Sequence, residues 1–371
     1  MRLDQLETPA TLVDLDILES NINNFQNALD APKELWPMLK THKSSAIALM
    51  QRDAGASGFL CGTLDECEAL LRLGLQNIMY AYPIASEPNI TRAINLAKAC
   101  NFFVRLDTIA SANILNDAAQ QANVKLNYTV IIDTGLNRFG IRPQDIKQFL
   151  EEMSQFQNLN FRGISTHPGH VYGCSDQKCV EKIAKEECDK MAEAYNIIKE
   201  MGLNADFISS GSNPTFMHVT KDPIINKHHP GAYVFMDNNQ VMLGAATEKD
   251  CALTVLATIV ANPREGVFLM DAGVKCLCLD KGAHGTETMR GFGRIKGHPE
   301  LLIASVSEEV GKILVEGETS LKVGDKIQII PNHACTAANM TSFYIGHRND
   351  VVEKVIEADI RGNSGKKGVG E

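Results

Sequence analysis

The chain has 371 residues, of which 44% are hydrophobic and 22% are charged. These values are typical of a globular protein with room for one large domain and a smaller one. A formal net charge of −9 and a sequence pI of about 5.6 argue against a general nucleic-acid-binding protein, because no basic stripe offsets the acidic excess.

The N-terminal stretch "MRLDQLETPATLVDLD" has no apolar signal core, and no window of the sequence approaches the apolar length that spans a bilayer. The ten cysteines show no disulfide-framework spacing, which predicts mostly reduced thiols. We therefore expect a cytoplasmic protein without a membrane partner. The Gly- and Lys-rich tail, residues 361–371, is expected to be disordered.

Short apolar runs alternate with longer amphipathic segments through the first two thirds of the chain. One run ends at Lys40, and seven more predict strands at residues 57–63, 77–83, 101–107, 126–133, 160–167, 205–211 and 231–237. Helices are predicted at 63–74, with Thr63 as the cap and Glu66 three residues later, and at 175–202.

Eight strands with helical crossovers predict a parallel sheet closed into a (β/α)₈ TIM-type barrel. The alternative, an open sheet that binds a dinucleotide, requires a G-x-G-x-x-G motif after the first strand, which instead ends at Lys40. From about residue 240 the runs become short and rich in β-formers, which predicts an antiparallel β domain. We expect the barrel over residues 20–238 and the β domain over 1–19 and 239–371.

The active site of such a barrel lies at the C-terminal ends of its strands. The polar or small residues predicted there are Lys40, Asp133, His167, Ser210, Gly211 and Ser212. A desolvated Lys40 is a nucleophile that forms Schiff bases, although a rim lysine is the alternative on position alone. "ISSGSNPT" (208–215) and "HHPGAY" (228–233) supply small residues and backbone N–H groups where barrels often bind phosphate. A lysine facing a phosphate cradle indicates pyridoxal phosphate (PLP).

Three further motifs carry reactive side chains. "IDTGLNRFG" (132–140) places Arg138 after strand five, to contact a cofactor ring or a carboxylate or to remain a surface arginine. "THPGHVYG" (166–173) clusters His167, His170 and Tyr172, which suits acid–base work or stacking on a cofactor. "PNHACT" (331–336) places His333 and Cys335 two residues apart, which is a zinc-type ligand pair when metallated.

These motifs, together with "KTHKS" (40–44), "DAGVK" (271–275) and "GHPE" (297–300), resemble in their order the D-serine dehydratase and D-threonine aldolase group of fold-type III PLP enzymes, relatives of alanine racemase. The resemblance covers nearly the whole chain. It implies a PLP- and divalent-metal-dependent lyase that acts on a small-molecule D-3-hydroxy amino acid. It also implies a homodimer.

The resemblance assigns roles by residue. Lys40 matches the Schiff-base lysine and is the expected base at the substrate Cα. The expected base for the proton of the substrate hydroxyl is His167, His42 or a hydroxide on the metal. Tyr172 is a further catalytic candidate. Cofactor binding is expected from Lys40, Arg138, His167, Ser210, Gly211, Ser212, Gly231, Ala232 and Tyr233. His333 and Cys335 match the metal pair, with zinc favoured over manganese or magnesium.

The chain departs from the family where Trp36 and Met38 replace the arginine and histidine of Arg-Pro-His, and where His229 replaces the arginine of Arg-Pro-Gly. These changes affect substrate choice and cofactor electronics. The sequence does not decide between dehydration and aldol cleavage, although the cysteine ligand favours dehydration. An amino-acid racemase of the same fold and a non-catalytic PLP carrier are the alternatives. The His-x-Cys pair argues against the first, and the β domain against the second.

Overall fold

The computed structural model describes residues 1–362, so only the first two residues of the predicted disordered tail fall within it. Strand β1 (Ala10–Asp14) opens the chain, and helix α1 (Leu15–Asn27) leads into the barrel. The eight barrel strands are β2 (Glu34–Leu35), β3 (Phe59–Cys61), β4 (Asn77–Tyr80), β5 (Asn101–Leu106), β6 (Leu126–Ile131), β7 (Leu159–Ser165), β8 (Phe207–Ser210) and β9 (Lys227–His228). All are parallel, in the order β2-β9-β8-β7-β6-β5-β4-β3.

The sheet closes between its first and last members. The Ser57 N–H donates to the Leu35 carbonyl (3.0 Å), and the Leu60 N–H donates to the Pro37 carbonyl (2.9 Å). A parallel bridge between Met38 and Leu60 completes the seam. The predicted (β/α)₈ barrel is confirmed.

The helices around the barrel are α2 (Ser45–Asp53), α3 (Leu64–Arg72), α4 (Glu87–Ala99), α5 (Ile109–Gln121), α6 (Ile146–Met153), α7 (Gln177–Glu200) and α8 (Phe216–Val219). Thr63 caps α3 as predicted, since its hydroxyl accepts from the Glu66 N–H at 3.2 Å. No helix within residues 1–362 is both long and apolar enough to cross a membrane.

Two barrel predictions were wrong in detail. Lys40 does not end a strand, because it lies in a short 3₁₀ helix, Leu39–Thr41, after the two-residue β2. The eighth strand is Lys227–His228 and not 231–237, where a 3₁₀ helix spans Ala232–Val234. Pro230 explains the second change, because a proline has no N–H with which to continue a sheet ladder.

Aromatic residues fill the barrel interior below the cavity. The Trp36 ring packs edge-on against Phe103 and Phe207, with centroid distances of 5.7 and 4.9 Å. Met38, Leu60 and other buried residues pack in the same cluster. The barrel interior is therefore filled by side chains, and the cavity lies at the C-terminal ends of the strands.

The N-terminal end of the barrel carries a ladder of asparagines from four adjacent strands. The Asn101 amide donates to the Asn77 side chain (2.9 Å), Asn127 donates to Asn101 (3.1 Å), and Asn160 donates to Asn127 (2.7 Å). Asn77 in turn donates to the Ser57 carbonyl at 2.8 Å. The ladder links these strands at the end that lies opposite the cavity.

The second domain starts after helix α9 (Asn238–Met242). It contains β10 (Leu253–Arg264), β11 (Val267–Met270), α10 (Val274–Leu277), β12 (Arg294–Ile295), β13 (Leu301–Val306), β14 (Gly311–Val315), β15 (Lys326–Ile330), α11 (Ala334–Asn339), β16 (Phe343–Arg348) and β17 (Val351–Glu357). β1 joins this sheet as expected from its sequence. The pairing is antiparallel throughout except between β1 and β16, which run parallel.

The β domain packs on the mouth of the barrel. The Tyr344 hydroxyl donates to the His42 carbonyl at 2.7 Å, and the Thr41 hydroxyl lies 3.3 Å from the Cys335 sulfur. Both contacts reach the 3₁₀ segment that carries Lys40. The candidate site is consequently built from both domains.

Candidate active site

A cavity of about 700 Å³, measured to its open mouth, lies between the barrel and the β domain. Among the residues that line it are Lys40, Arg105, Arg138, His167, Tyr172, Gly211, Ser212, Asn213, His229, Gly231, Ala232, Asp237, His284, His333 and Cys335. Lys40, Arg138, His284 and the His333–Cys335 pair also line a wider outer vestibule.

Lys40 enters the cavity from the 3₁₀ helix above β2. Gly62, after β3, allows this approach, because a Cβ there would lie only 3.1 Å from the Lys40 Cβ. The lysine reaches both the inner cavity and the vestibule. A substrate entering through the mouth therefore meets Lys40 directly.

His167 and His284 face each other across the cavity wall, with their Nε2 atoms 3.3 Å apart. The His167 Nδ1–H donates to the Gly211 carbonyl. Burial, followed by the nearby Lys40 charge, holds the pKa of His167 well below its usual value. Burial and Lys40 lower the pKa of His284 to about 4. Both rings are therefore neutral at pH 7.

The sequence interpretation missed His284, which comes from the β-domain segment between α10 and β12. Its ring lies 5.0 Å from that of Tyr172. The Tyr172 hydroxyl lies 3.5 Å from the Gln240 amide, and burial raises its pKa, so the phenol stays protonated. In the sequence, the only feature that pointed to His284 as a site residue was a histidine within a Gly-rich stretch. His170 lies outside the cavity, against Gly135.

The two small-residue turns present backbone groups to the cavity. Within residues 1–362 the N–H groups of Ser212 and Ala232 find no protein acceptor. The Ser212 hydroxyl is buried and likewise has no partner there. Gly231 must be small, because a Cβ would lie 2.9 Å from the Thr41 hydroxyl. Unsatisfied donors of this kind fit an anionic group.

Two predicted cofactor residues direct their side chains elsewhere. The Ser210 hydroxyl donates to Glu187 at 2.5 Å. The Tyr233 hydroxyl accepts from the Gln51 amide at 2.8 Å, and its ring is fully buried. Neither side chain lines the cavity. Any contact that Ser210 or Tyr233 makes with a cofactor would come from the backbone.

Arg138 lies at the mouth with an exposed side chain, over the Phe139 ring at 5.4 Å. Its loop is organised by Asp133, whose carboxylate accepts from the Gly135 and Asn137 N–H groups at 2.9 and 3.1 Å. This arrangement leaves the guanidinium free to meet a ligand.

Arg105, which the sequence interpretation missed, is only 5% exposed and reaches the cavity from β5. Its Nε–H donates to the Ser165 hydroxyl at 2.8 Å, but one Nη atom has no partner in the described chain. Burial lowers its pKa to about 10, so it remains a cation at pH 7. The available signal was one arginine within an otherwise apolar strand.

Trp36 and His229, which both depart from the family pattern, are in contact with each other. The His229 Nδ1–H donates to the Trp36 carbonyl at 2.8 Å, which leaves Nε2 as an acceptor without a partner among residues 1–362. Burial lowers the pKa of His229 to about 3. The cavity thus has a neutral ring where the resemblance leads one to expect an arginine.

His42, a candidate base from its sequence position, is fully buried and does not line the cavity. Its Nδ1 accepts from the Ser44 N–H at 3.1 Å, and its Nε2 lies 3.1 Å from the Gln51 side-chain oxygen. Gln51 connects it to Tyr233. Both nitrogens are occupied, and His42 thereby links the segment that carries Lys40 to helix α2.

His333 and Cys335 flank the start of α11 at the edge of the cavity. Asp280 lies behind the imidazole, with its carboxylate oxygen 3.7 Å from Nδ1. Burial opposes protonation of His333, but Cys335 and Asp280 outweigh it and raise the imidazole pKa to about 10. The described residues contain no cluster of three or more His, Cys, Asp or Glu placed to hold a metal.

Eight of the ten cysteines are free, in agreement with the prediction of mostly reduced thiols, and the other two form a disulfide. Cys174, directly after the turn that carries Tyr172, pairs with Cys179 in the first turn of α7. Their Cα atoms lie 5.5 Å apart, within the usual range for a disulfide. The bond fixes the Tyr172 turn to the helix behind it.

The donor set fits PLP. Unpaired N–H and hydroxyl groups at the two turns suit a phosphate, Lys40 suits the aldehyde, and the His167 ring provides an aromatic face. His333 and Cys335 fit a divalent ion that keeps open coordination positions.

Comparison with known proteins agrees with this architecture. Residues 13–239 match the family described as "Alanine racemase, N-terminal domain", and residues 252–347 match "Putative serine dehydratase domain". The first match spans more than half of the chain. The protein therefore belongs to the alanine racemase-like family of PLP-dependent proteins, and carries a serine dehydratase-type β domain.

Three relatives show the range of that family. A D-serine dehydratase from Dictyostelium discoideum is 30% identical, over 94% of this chain and 95% of its own. The D-threonine aldolase from Filomicrobium marinum superposes with a TM-score of 0.89 at 25% identity, covering 97% of both chains. A D-threo-3-hydroxyaspartate dehydratase, solved as a cysteine-to-alanine mutant in the metal-free form, superposes with a TM-score of 0.89 at 26% identity, covering 96% and 99%.

Proposed function

We propose that this protein is a PLP- and divalent-metal-dependent lyase that acts on a D-3-hydroxy amino acid, by dehydration or by aldol cleavage. The observation that carries the proposal is that Lys40 from the barrel and the His333–Cys335 pair from the β domain line one cavity. The relatives named above, with their dehydratase and aldolase activities, support the same reaction class.

The protein's own groups divide the work. The turns at Ser212 and Ala232 bind the phosphate, and Lys40 anchors the cofactor. When bound, PLP supplies the electron sink that weakens the bonds at the substrate Cα. For dehydration Lys40 takes the Cα proton and the substrate hydroxyl leaves, while Arg138 at the mouth orients the substrate carboxylate.

The metal pair acts at the substrate hydroxyl. His333 and Cys335 would hold the ion, which supplies Lewis-acid polarisation of that hydroxyl. Zinc is favoured because imidazole and thiolate are its preferred ligands, with manganese or magnesium as the alternatives. For cleavage of the Cα–Cβ bond the hydroxyl must lose its proton. His167, neutral and within the cavity, is one candidate for this base, and a hydroxide on the metal is the other.

D-Threonine tests the proposal, because this one substrate can follow both routes. The purified protein is incubated with PLP and zinc or manganese. Ammonia and 2-oxobutanoate would establish dehydration, which the cysteine ligand favours. Glycine and acetaldehyde would establish aldol cleavage. Conversion to L-allo-threonine, the epimer at Cα, without either product set would instead establish a racemase.

The metal role has its own test. His333→Ala is expected to abolish lyase turnover while the protein retains bound PLP, measured by its absorbance. Activity that survives both this substitution and a chelator would rule out the metal. Lys40→Ala is the matched variant, since it should lose the covalently bound cofactor as well as activity.

We further propose that the protein is a cytoplasmic homodimer. Exposed apolar side chains at Met340, Phe343 and Val355 on the β domain support an interface there. Sedimentation at micromolar concentration would reveal the dimer, and a monomer with full activity would refute it.

A further inference from the structure

A buried carboxylic acid lies directly behind one of the two turns that face the cavity. Glu187 projects from α7, and its side chain has 0% exposure. Its Oε1 accepts from the Ser210 hydroxyl at 2.5 Å, and its Oε2 accepts from the Thr215 hydroxyl at 3.2 Å. These two hydroxyls flank residues 211–214, so the carboxyl group holds both ends of the turn that carries Ser212.

Among the described residues, no cation compensates this carboxylate. Within residues 1–362 no Lys, Arg or His forms an ion pair with Glu187. The titratable groups that act on it or respond to it are Asp222, from the segment after α8, and the neighbouring Cys188 on its own helix. Both of these add negative charge when ionised. Burial accordingly raises the pKa of Glu187 to about 7.

The hydrogen bonds also determine which groups of the turn face the ligand. Because the Ser210 and Thr215 hydroxyls donate to Glu187, neither is free to donate into the cavity. The Ser212 hydroxyl and N–H, by contrast, have no partner in the described chain and line the cavity. The carboxyl group and the ligand therefore lie on opposite sides of one short turn.

We propose that Glu187 is a positioning residue that fixes the 211–214 turn for the cofactor phosphate, and that its ionisation weakens phosphate binding. The inference rests on the proposed PLP dependence. A negative charge behind the turn repels the phosphate in front of it, and a buried charge is screened less than a surface charge. A protonated Glu187 keeps both contacts with the turn without that repulsion, although its own O–H then donates to one of the two hydroxyls.

The experiment compares PLP with pyridoxal, which lacks the phosphate. Cofactor-free wild type, Glu187→Gln and the exposed control Glu193→Gln are titrated with each compound at pH 6 and pH 8.5. The readout is the ratio of the pyridoxal Kd to the PLP Kd, in which pH effects on Schiff-base formation cancel because both compounds form the same bond. Ionisation of the phosphate itself affects all three proteins alike.

From pH 6 to pH 8.5 this ratio should fall roughly tenfold more in wild type and Glu193→Gln than in Glu187→Gln, as expected for one unit charge near the phosphate. Equal pH dependence in all three proteins would overturn the proposal. Ser210→Ala serves as a second variant and should lower PLP affinity while leaving pyridoxal affinity unchanged. Pyridoxal binding shows that each variant is folded. If wild type bound neither PLP nor pyridoxal, the PLP function itself would be refuted.

Discussion

Replacing Glu187 by glutamine should change how stability depends on pH. The pKa of Glu187 rises from 4.5 to about 7 because the carboxyl group is buried. A raised carboxyl pKa means that its contribution to stability is present below about pH 4.5 and is lost as the pH rises through 7. The difference between the two pKa values corresponds to about 3 kcal/mol in full. Roughly 2 kcal/mol of this falls between pH 5.5 and pH 8.

For a chain of this length that amount corresponds to about 3 °C in Tm. The Tm of Glu187→Gln minus the Tm of wild type should therefore be about 3 °C larger at pH 8 than at pH 5.5. Thermal unfolding of the cofactor-free proteins, followed by circular dichroism, measures this difference. Glu193→Gln, at an exposed site on the same helix, should show no such change. An identical Tm difference at both pH values would show that Glu187 is not protonated in the folded protein.

Gly163→Ala should destabilise the barrel by about 3 kcal/mol, because a Cβ at this positive φ would lie 2.1 Å from the Phe207 carbonyl oxygen of β8. Urea titration measures this loss. The control Gly74→Ala, also at positive φ but with no atom within 4 Å of the added Cβ, should cost only about 1 kcal/mol. Equal losses in the two variants would contradict the steric argument. Asn101→Ala removes two bonds of the asparagine ladder and should cost about 1 kcal/mol, roughly twice the loss for Asn160→Ala at the ladder's end. Thiol titration in denaturant should find eight reactive cysteines before reduction and ten after it, whereas ten at the start would exclude the Cys174–Cys179 bond.

The outline of the fold could be predicted from the sequence because its signals are local. The spacing of apolar runs and the Thr63 cap depend on residues within a few positions of each other, and they indicated alternating strands and helices correctly. The β domain was likewise indicated by the short runs rich in β-forming residues after residue 240. What failed was local detail around Pro37 and Pro230, where the backbone leaves the sheet sooner than the apolar pattern suggests.

The site divides in the same way. Lys40, Arg138, His167 and Tyr172 could be named because each stands in a distinctive motif at the end of a predicted strand. Whether a side chain faces the cavity depends on contacts with residues far away in the chain. Ser210 turns to Glu187, and Tyr233 turns to Gln51. No local pattern contains those partners.

The sequence by itself determined the alternating pattern that closes a barrel, the small-residue turns, the lysine proposed as the nucleophile and the spacing of the pair proposed to bind a metal. Only the tertiary structure decided that His284 joins His167, that Arg105 points into the cavity, and that His42 has both nitrogens occupied. The reason is physical: a side chain's protonation and availability depend on burial and on its hydrogen-bond partners. In this protein those partners come from strands and loops up to a few hundred residues apart.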